Sequence, residues 1–310
     1  MPLMPRGAPP GKRKSALRAK IPMIAAFHTG RIPRLLGALC ALAICSSPLQ
    51  AAPSGPGESG VQAAIELRDG SQVVGQAASG LAARWTGDGN AQDSAGHSDG
   101  RVSGGLSYVR WPAGQAFQFN GGAARVDFGS SPGNFGTADF TVAFWMKTDS
   151  KTPHEAFLGK RAACGDAASF WEIQVGSQVT RQAPTGYLLM QFFDGGHSVP
   201  VVEYEDRFEM FSSRPINDGQ WHHIAWVRQS TSSGTITYLI YVDGALDNSK
   251  EYPEEVNLAN QSPLVMGQSV CQCCDGTRPY SGAAAELQLF SHALSAEEIL
   301  GIYNEEKSGK

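Results

Sequence analysis

From Gly80 onward the chain repeats one pattern: a short run rich in aromatic and aliphatic residues, then a turn built on glycine. Gln115-Ala116-Phe117-Gln118-Phe119 runs into Asn120-Gly121-Gly122, and Ala124-Arg125-Val126-Asp127-Phe128 carries apolar residues at every second position. Phe140-Thr141-Val142-Ala143-Phe144-Trp145-Met146-Lys147 is apolar on both parities and predicts a strand buried on both faces. Tyr187 to Phe193 ends on Asp194-Gly195-Gly196, Trp221 to Arg228 forms another run, and Ile236 to Val242 closes on Asp243-Gly244. A period of two with turn residues at short, regular intervals belongs to antiparallel sheets, and many such strands predict a sandwich or barrel. The 36 glycines of the 310 residues supply those turns.

One helix interrupts the pattern near the end. Ser295 precedes Ala296-Glu297-Glu298, which places a capping serine three residues before a glutamate that can reach back to it. Ile299, Ile302 and Tyr303 then share one face. The helix is expected to pack on the sandwich edge, with 307–310 as a loose tail.

The N-terminal segment has a different composition. Residues 1–51 hold eight Lys and Arg and no Asp or Glu, and an apolar run from Leu35 to Cys45 leads into Ser46-Ser47-Pro48-Leu49-Gln50-Ala51-Ala52. A basic start, a short apolar core and a small-residue exit predict a secretory leader cleaved after Ala51. Eleven apolar residues make a helix of about 16 Å, too short for a hydrocarbon core of about 30 Å. Met23 would begin a leader of more ordinary length. Residues 52–79, rich in Gly, Ser, Ala and Pro, read as a flexible linker, with one small hairpin around Asp69-Gly70. Without the leader, Lys plus Arg falls from 25 to 17 against 29 Asp plus Glu, a net charge of −12. Such a surface repels phosphate backbones and argues against a nucleic-acid partner.

Four cysteines follow the leader: Cys164, Cys271, Cys273 and Cys274. In an exported domain they read as disulfides, with three possible pairings. Cys271-Gln272-Cys273-Cys274 crowds its sulfurs too closely for one tetrahedral zinc site.

In their order along the chain, seven segments resemble the laminin-G-like, concanavalin-A-like jelly roll of exported proteins. They are Trp85-Thr86-Gly87-Asp88-Gly89-Asn90-Ala91-Gln92-Asp93, Gly114 to Gly121, Asp139 to Trp145, Asp218-Gly219-Gln220-Trp221-His222-His223, Tyr241-Val242-Asp243-Gly244, Asp275 to Gly282, and Leu294 to Ile299. The resemblance spans residues 80–306. It implies an all-β fold, a two-sheet antiparallel jelly-roll sandwich with a short C-terminal helix, and a disulfide from the loop at Cys164 to the segment before Asp275, where Cys271 is the expected partner. It also implies a calcium ion held by Asp88, Asn90 and Asp93, since calcium takes six to eight oxygens. The chain departs from the family's pattern at Ala285, where an Asp usually stands.

The fold hosts many functions, so the choice among them rests on residues. Sugar sites pair an aromatic platform with polar groups, and Trp85, Trp111, Trp171, Tyr204, Tyr252 and Tyr280 are the candidates. Trp145, Trp221 and Trp226 fall inside apolar runs and read as core. For hydrolysis, the dense carboxylates Glu203, Glu205 and Glu209 share a strand face but miss the family's Glu-x-Asp-x-x-Glu spacing. They read as charges on a solvated edge strand. His222 and His223 point to opposite faces and cannot act together. The expected function is a non-catalytic binding module, exported to the cell surface, periplasm or medium, for a glycan or a surface protein. A structural or adhesion scaffold is the alternative, ahead of a polysaccharide hydrolase or lyase.

Overall fold

A computed structural model describes residues 80–164, 168–176, 184–195, 209–252, 255–273 and 276–309. The expected leader and linker, the hairpin at Asp69-Gly70, and Glu203, Tyr204, Glu205 and Cys274 lie outside the described residues.

Sixteen strands follow one another: β1 Leu81–Trp85, β2 Arg101–Ser103, β3 Ser107–Trp111, β4 Gly114–Asn120, β5 Arg125–Asp127, β6 Phe140–Lys147, β7 Glu155–Lys160, β8 Phe170–Val175, β9 Tyr187–Phe193, β10 Glu209–Pro215, β11 Trp221–Ser230, β12 Ile236–Val242, β13 Ala245–Tyr252, β14 Leu264–Met266, β15 Arg278–Pro279 and β16 Ser281–Phe290. A single 3-10 turn spans Val270–Cys273, and helix α1 spans Ala296–Lys307. The first sheet runs β13-β12-β11-β6-β16-β4-β3, with β1 also on β16. The second runs β10-β9-β8-β7-β14-β5-β2. The pairing is antiparallel except for β15, which lies parallel to β7 over two residues.

The inner faces meet in one core that includes Trp85, Phe117, Phe140, Phe144, Phe157, Trp171, Phe192, Trp226 and Tyr238. Strand alternation puts these side chains inward and leaves their neighbours on the outer faces. The β12–β13 hairpin turns on Asp243 (φ 56) and Gly244 (φ 78). Both need positive φ, as a two-residue primed turn requires.

Helix α1 begins as expected. Ser295 accepts from the Glu298 N–H, and Glu298 accepts from the Ser295 N–H. It does not sit at an edge: Ile299 packs with Ala143, Ala225, Val227 and Phe290 on the outer face of the first sheet. This cover explains why β6 is buried on both faces. The helix runs through Lys307, one residue into the expected tail.

Candidate functional site

Among the described residues, the outer face of the second sheet is covered by loop residues such as Ser269 and not by a helix. Its register aligns one row across the whole sheet: Arg101, Asp127, Val265, Gly159, Glu172, Gln191 and Glu209. Above the middle of this row lies a cleft of about 630 Å³, lined by Arg125, Gly159, Arg161, Glu172, Gln261 and Gln268 among others. That volume falls within the ordinary range for small-ligand sites. Gly159 keeps the floor low, since a Cβ there would come within 2.7 Å of Glu172 Cγ.

Glu172 is almost wholly buried and accepts from three side chains. Arg161 Nη1 donates at 2.7 Å, Ser269 Oγ at 2.6 Å and Gln174 Nε2 at 3.3 Å. Gln174 continues the network to His154 at 2.8 Å. Burial opposes the Arg161 charge, but the Glu172 carboxylate outweighs it and raises the Arg161 pKa. The Arg161 guanidinium also lies 3.8 Å from the centre of the Phe170 ring, a cation–π contact. Of the two residues expected to pair, Cys164 is partly exposed and Cys271 is buried in the 3-10 turn.

Glu209 corrects an expectation. It opens the edge strand β10 but is buried, and Gln191 Nε2 donates to it at 2.8 Å. Glu172 and Glu209 face the same side, two strands apart, which is about 9.6 Å of backbone separation. A retaining glycosidase needs its carboxyl groups about 5–5.5 Å apart.

The expected calcium ligands are engaged otherwise. Asp93 Oδ1 accepts from the N–H groups of Arg84, Ala95 and Gly96, and Oδ2 from Ser98, at 2.8–3.1 Å. Partial burial works against the charge, but these N–H groups outweigh it and hold the Asp93 carboxyl below its usual range. Asp88 Oδ1 accepts from Gln115 N–H, and Asn90 Oδ1 from Gln92 N–H. Asp93 thus serves as acceptor for its own loop, and one oxygen each of Asp88 and Asn90 does the same. Among the described residues, no group of three His, Cys, Asp or Glu is placed to share a metal ion. Ala285 is buried with Trp111, Ala116 and Trp145, where a carboxylate would be stranded among rings. Its neighbour Glu286 pairs instead with Arg84 at 2.7 Å.

The aromatic assignments change most. Trp85, Trp111, Trp171, Tyr252 and Tyr280 are all buried, so none can be a platform. Trp221, read as core, is only half-buried and packs at a tilt against Trp111, ring centres 5.5 Å apart, on the outer face of the first sheet. Parity in the sequence carried the signal: Trp221 and Trp226 differ by an odd number and cannot face the same side. His223 is fully buried, and its pKa falls to about 4 by desolvation. His222 is hydrogen-bonded to Asp243 at 2.9 Å and Asp218 at 3.1 Å. Both histidines are structural.

The concanavalin A-like lectin/glucanases superfamily model matches residues 120–300, and the chain belongs to that superfamily. A search of curated proteins gives no match. Among solved structures, the binding domain of Paraclostridial Mosquitocidal Protein 1 is 14% identical with a TM-score of 0.54, over 73% of this chain and 52% of that one. Domain 4 of AbnA, an extracellular arabinanase from Geobacillus stearothermophilus solved with arabinotriose, is 16% identical with a TM-score of 0.54. That alignment covers 72% of this chain and 98% of the other. The botulinum neurotoxin serotype G binding domain is 12% identical with a TM-score of 0.55, over 73% and 51%. The chain thus spans about half the length of the two toxin domains. At these identities the likeness concerns the fold. Among the described residues, no helix is long and apolar enough to cross a membrane.

Proposed function

We propose that the chain is an exported, non-catalytic binding module that takes a glycan or a surface protein in the cleft over its second sheet. The observation that carries this reading is the state of Glu172. It is buried, ion-paired to Arg161 and bonded to Ser269 and Gln174, so both its oxygens are engaged in the floor of the cleft. The arabinotriose bound to a domain of similar fold supports a sugar as one class of ligand. Export is supported by the leader pattern and by the spare negative charge of residues 52–310. A Cys164–Cys271 disulfide would clamp the loops at the cleft's rim, and peptide mapping without reduction identifies it or a different linkage.

The test is retention on a glycan array and on immobilised cell-surface proteins, for the wild type and for Gln261→Ala and Gln268→Trp. Both substitutions alter the cleft's lining without touching the Arg161–Glu172 pair. Weakened retention by both supports the cleft; undiminished retention moves the site elsewhere.

A further inference from the structure

The first sheet carries a second groove on the opposite side of the sandwich, at the corner that α1 leaves uncovered. Its register sets Ser107, Gln118, Ala283, Lys147 and Trp221 in one row across five strands. A cavity of about 330 Å³ lies over this row, with Val109 on one side and Trp221 on the other. The floor is bare. A Cβ on Gly282 would lie 2.3 Å from the Lys147 carbonyl oxygen, and Ala283 adds only a methyl group.

We infer that this groove is a saccharide site in which a pyranose ring stacks on Trp221 and is oriented by Gln118, Lys147 and Asp149. Three observations converge on it. Trp221 is the half-exposed member of a ring cluster, held by Trp111 at 5.5 Å, which itself contacts Trp145 at 5.7 Å. The platform is therefore rigid, and an amphipathic ring with few torsions is an inexpensive surface to present. Gln118 is fixed through its amide nitrogen, which donates to the carbonyls of Phe119 at 3.0 Å and Gly282 at 3.1 Å. Its carbonyl oxygen is left to accept from a hydroxyl. Lys147 and Asp149 line the same groove, and neither makes a side-chain hydrogen bond or ion pair among the described residues. A donor, two acceptors and an apolar face around one small basin match the alternating hydroxyls and C–H face of a sugar ring. Val109, 38% exposed, extends the apolar rim.

The test is an array of plant, microbial and animal glycans probed with the wild type, Trp221→Ala, Trp221→Phe, Lys147→Ala and Asp149→Ala. Titration by tryptophan fluorescence would follow with the best binder. Trp221→Ala should weaken binding roughly tenfold or more, the scale of one lost aromatic stack with its burial. Trp221→Phe should keep most of the affinity. Lys147→Ala and Asp149→Ala are surface changes that leave folding intact, and each should weaken binding severalfold. Absence of saturable binding by the wild type to any glycan overturns the inference. So does equal affinity of Lys147→Ala and Asp149→Ala to the wild type. Loss through the cleft variants of the second sheet alone assigns sugar binding to that cleft and likewise overturns it.

Discussion

The two outer faces of the sandwich solve the same problem in opposite ways. Each strand must present every second residue away from the core, and those residues need either water or a cover. Over the second sheet the cover is loops, and what they bury is polar: Glu172, Gln174 and Glu209 are all under a tenth exposed. Glu172 and Gln174 survive burial because they bond to each other and Glu172 to Arg161 and Ser269, while Glu209 accepts from Gln191. Over the first sheet the cover is α1, and what it buries is mostly apolar or aromatic, with Trp145 stacked on Tyr303 at 5.6 Å. A loop cover thus leaves a polar cleft. A helix cover closes the middle of its face and leaves the groove beside Trp221 at the corner.

The sharpest way to break this contrast is to unpair the polar floor. Glu172→Ala removes the carboxylate paired with the buried Arg161 charge and should cost about 3–5 kcal/mol, as removal of one partner of a buried ion pair does. Urea denaturation reads it. Replacing both members by apolar residues should recover much of the loss; if it does not, the pair contributes more than mutual neutralisation.

Asp93 is the next largest effect. Losing an acceptor of four backbone N–H groups should cost about 2–3 kcal/mol in Asp93→Ala. Calcium at millimolar concentration should leave the melting temperature of the wild type unchanged. A calcium-dependent rise would show that the loop rearranges around an ion.

The helix-covered face has its own buried acid. Glu306 accepts from Trp145 Nε1 at 2.7 Å and from Gln288 Nε2. Burial and then the charge of Glu286 push its pKa up to about 8. The folded state therefore favours the protonated form, while the unfolded carboxyl titrates near the ordinary value of 4.5. Its contribution is fully present below about pH 4.5, is lost progressively up to about pH 8, and is level above that. Glu306→Gln should remove this slope and gain on the order of 1–2 kcal/mol over the wild type above pH 8. Parallel melting curves of the two proteins from pH 5 to 9 would show that Glu306 does not carry the effect.

The strands were legible from the sequence because alternation is local. Phe140–Lys147, Tyr187–Phe193 and Ile236–Val242 begin and end where the pattern says, and Ser295 caps its helix through bonds only three residues away. The sites were less legible because exposure depends on what a distant segment covers. Trp111 and Tyr280 look like surface aromatics in an isolated window. Trp111 is buried against two other tryptophans, and Tyr280 is driven into the core beside Phe119 and Phe157. Asp88, Asn90 and Asp93 have the composition of a cation loop, yet the chain folds its own N–H groups onto them. Glu209 reads as a solvent charge until β9 supplies Gln191 opposite it.

On the proposed function, this jelly roll binds without turning over what it binds. The direct measurement incubates the protein with whichever polysaccharide it retains best, and follows both bound fraction and new reducing or unsaturated ends. Saturable retention is expected, with no release of product above the protein-free control. Product that accumulates with time, and that disappears in Glu172→Gln, would contradict it.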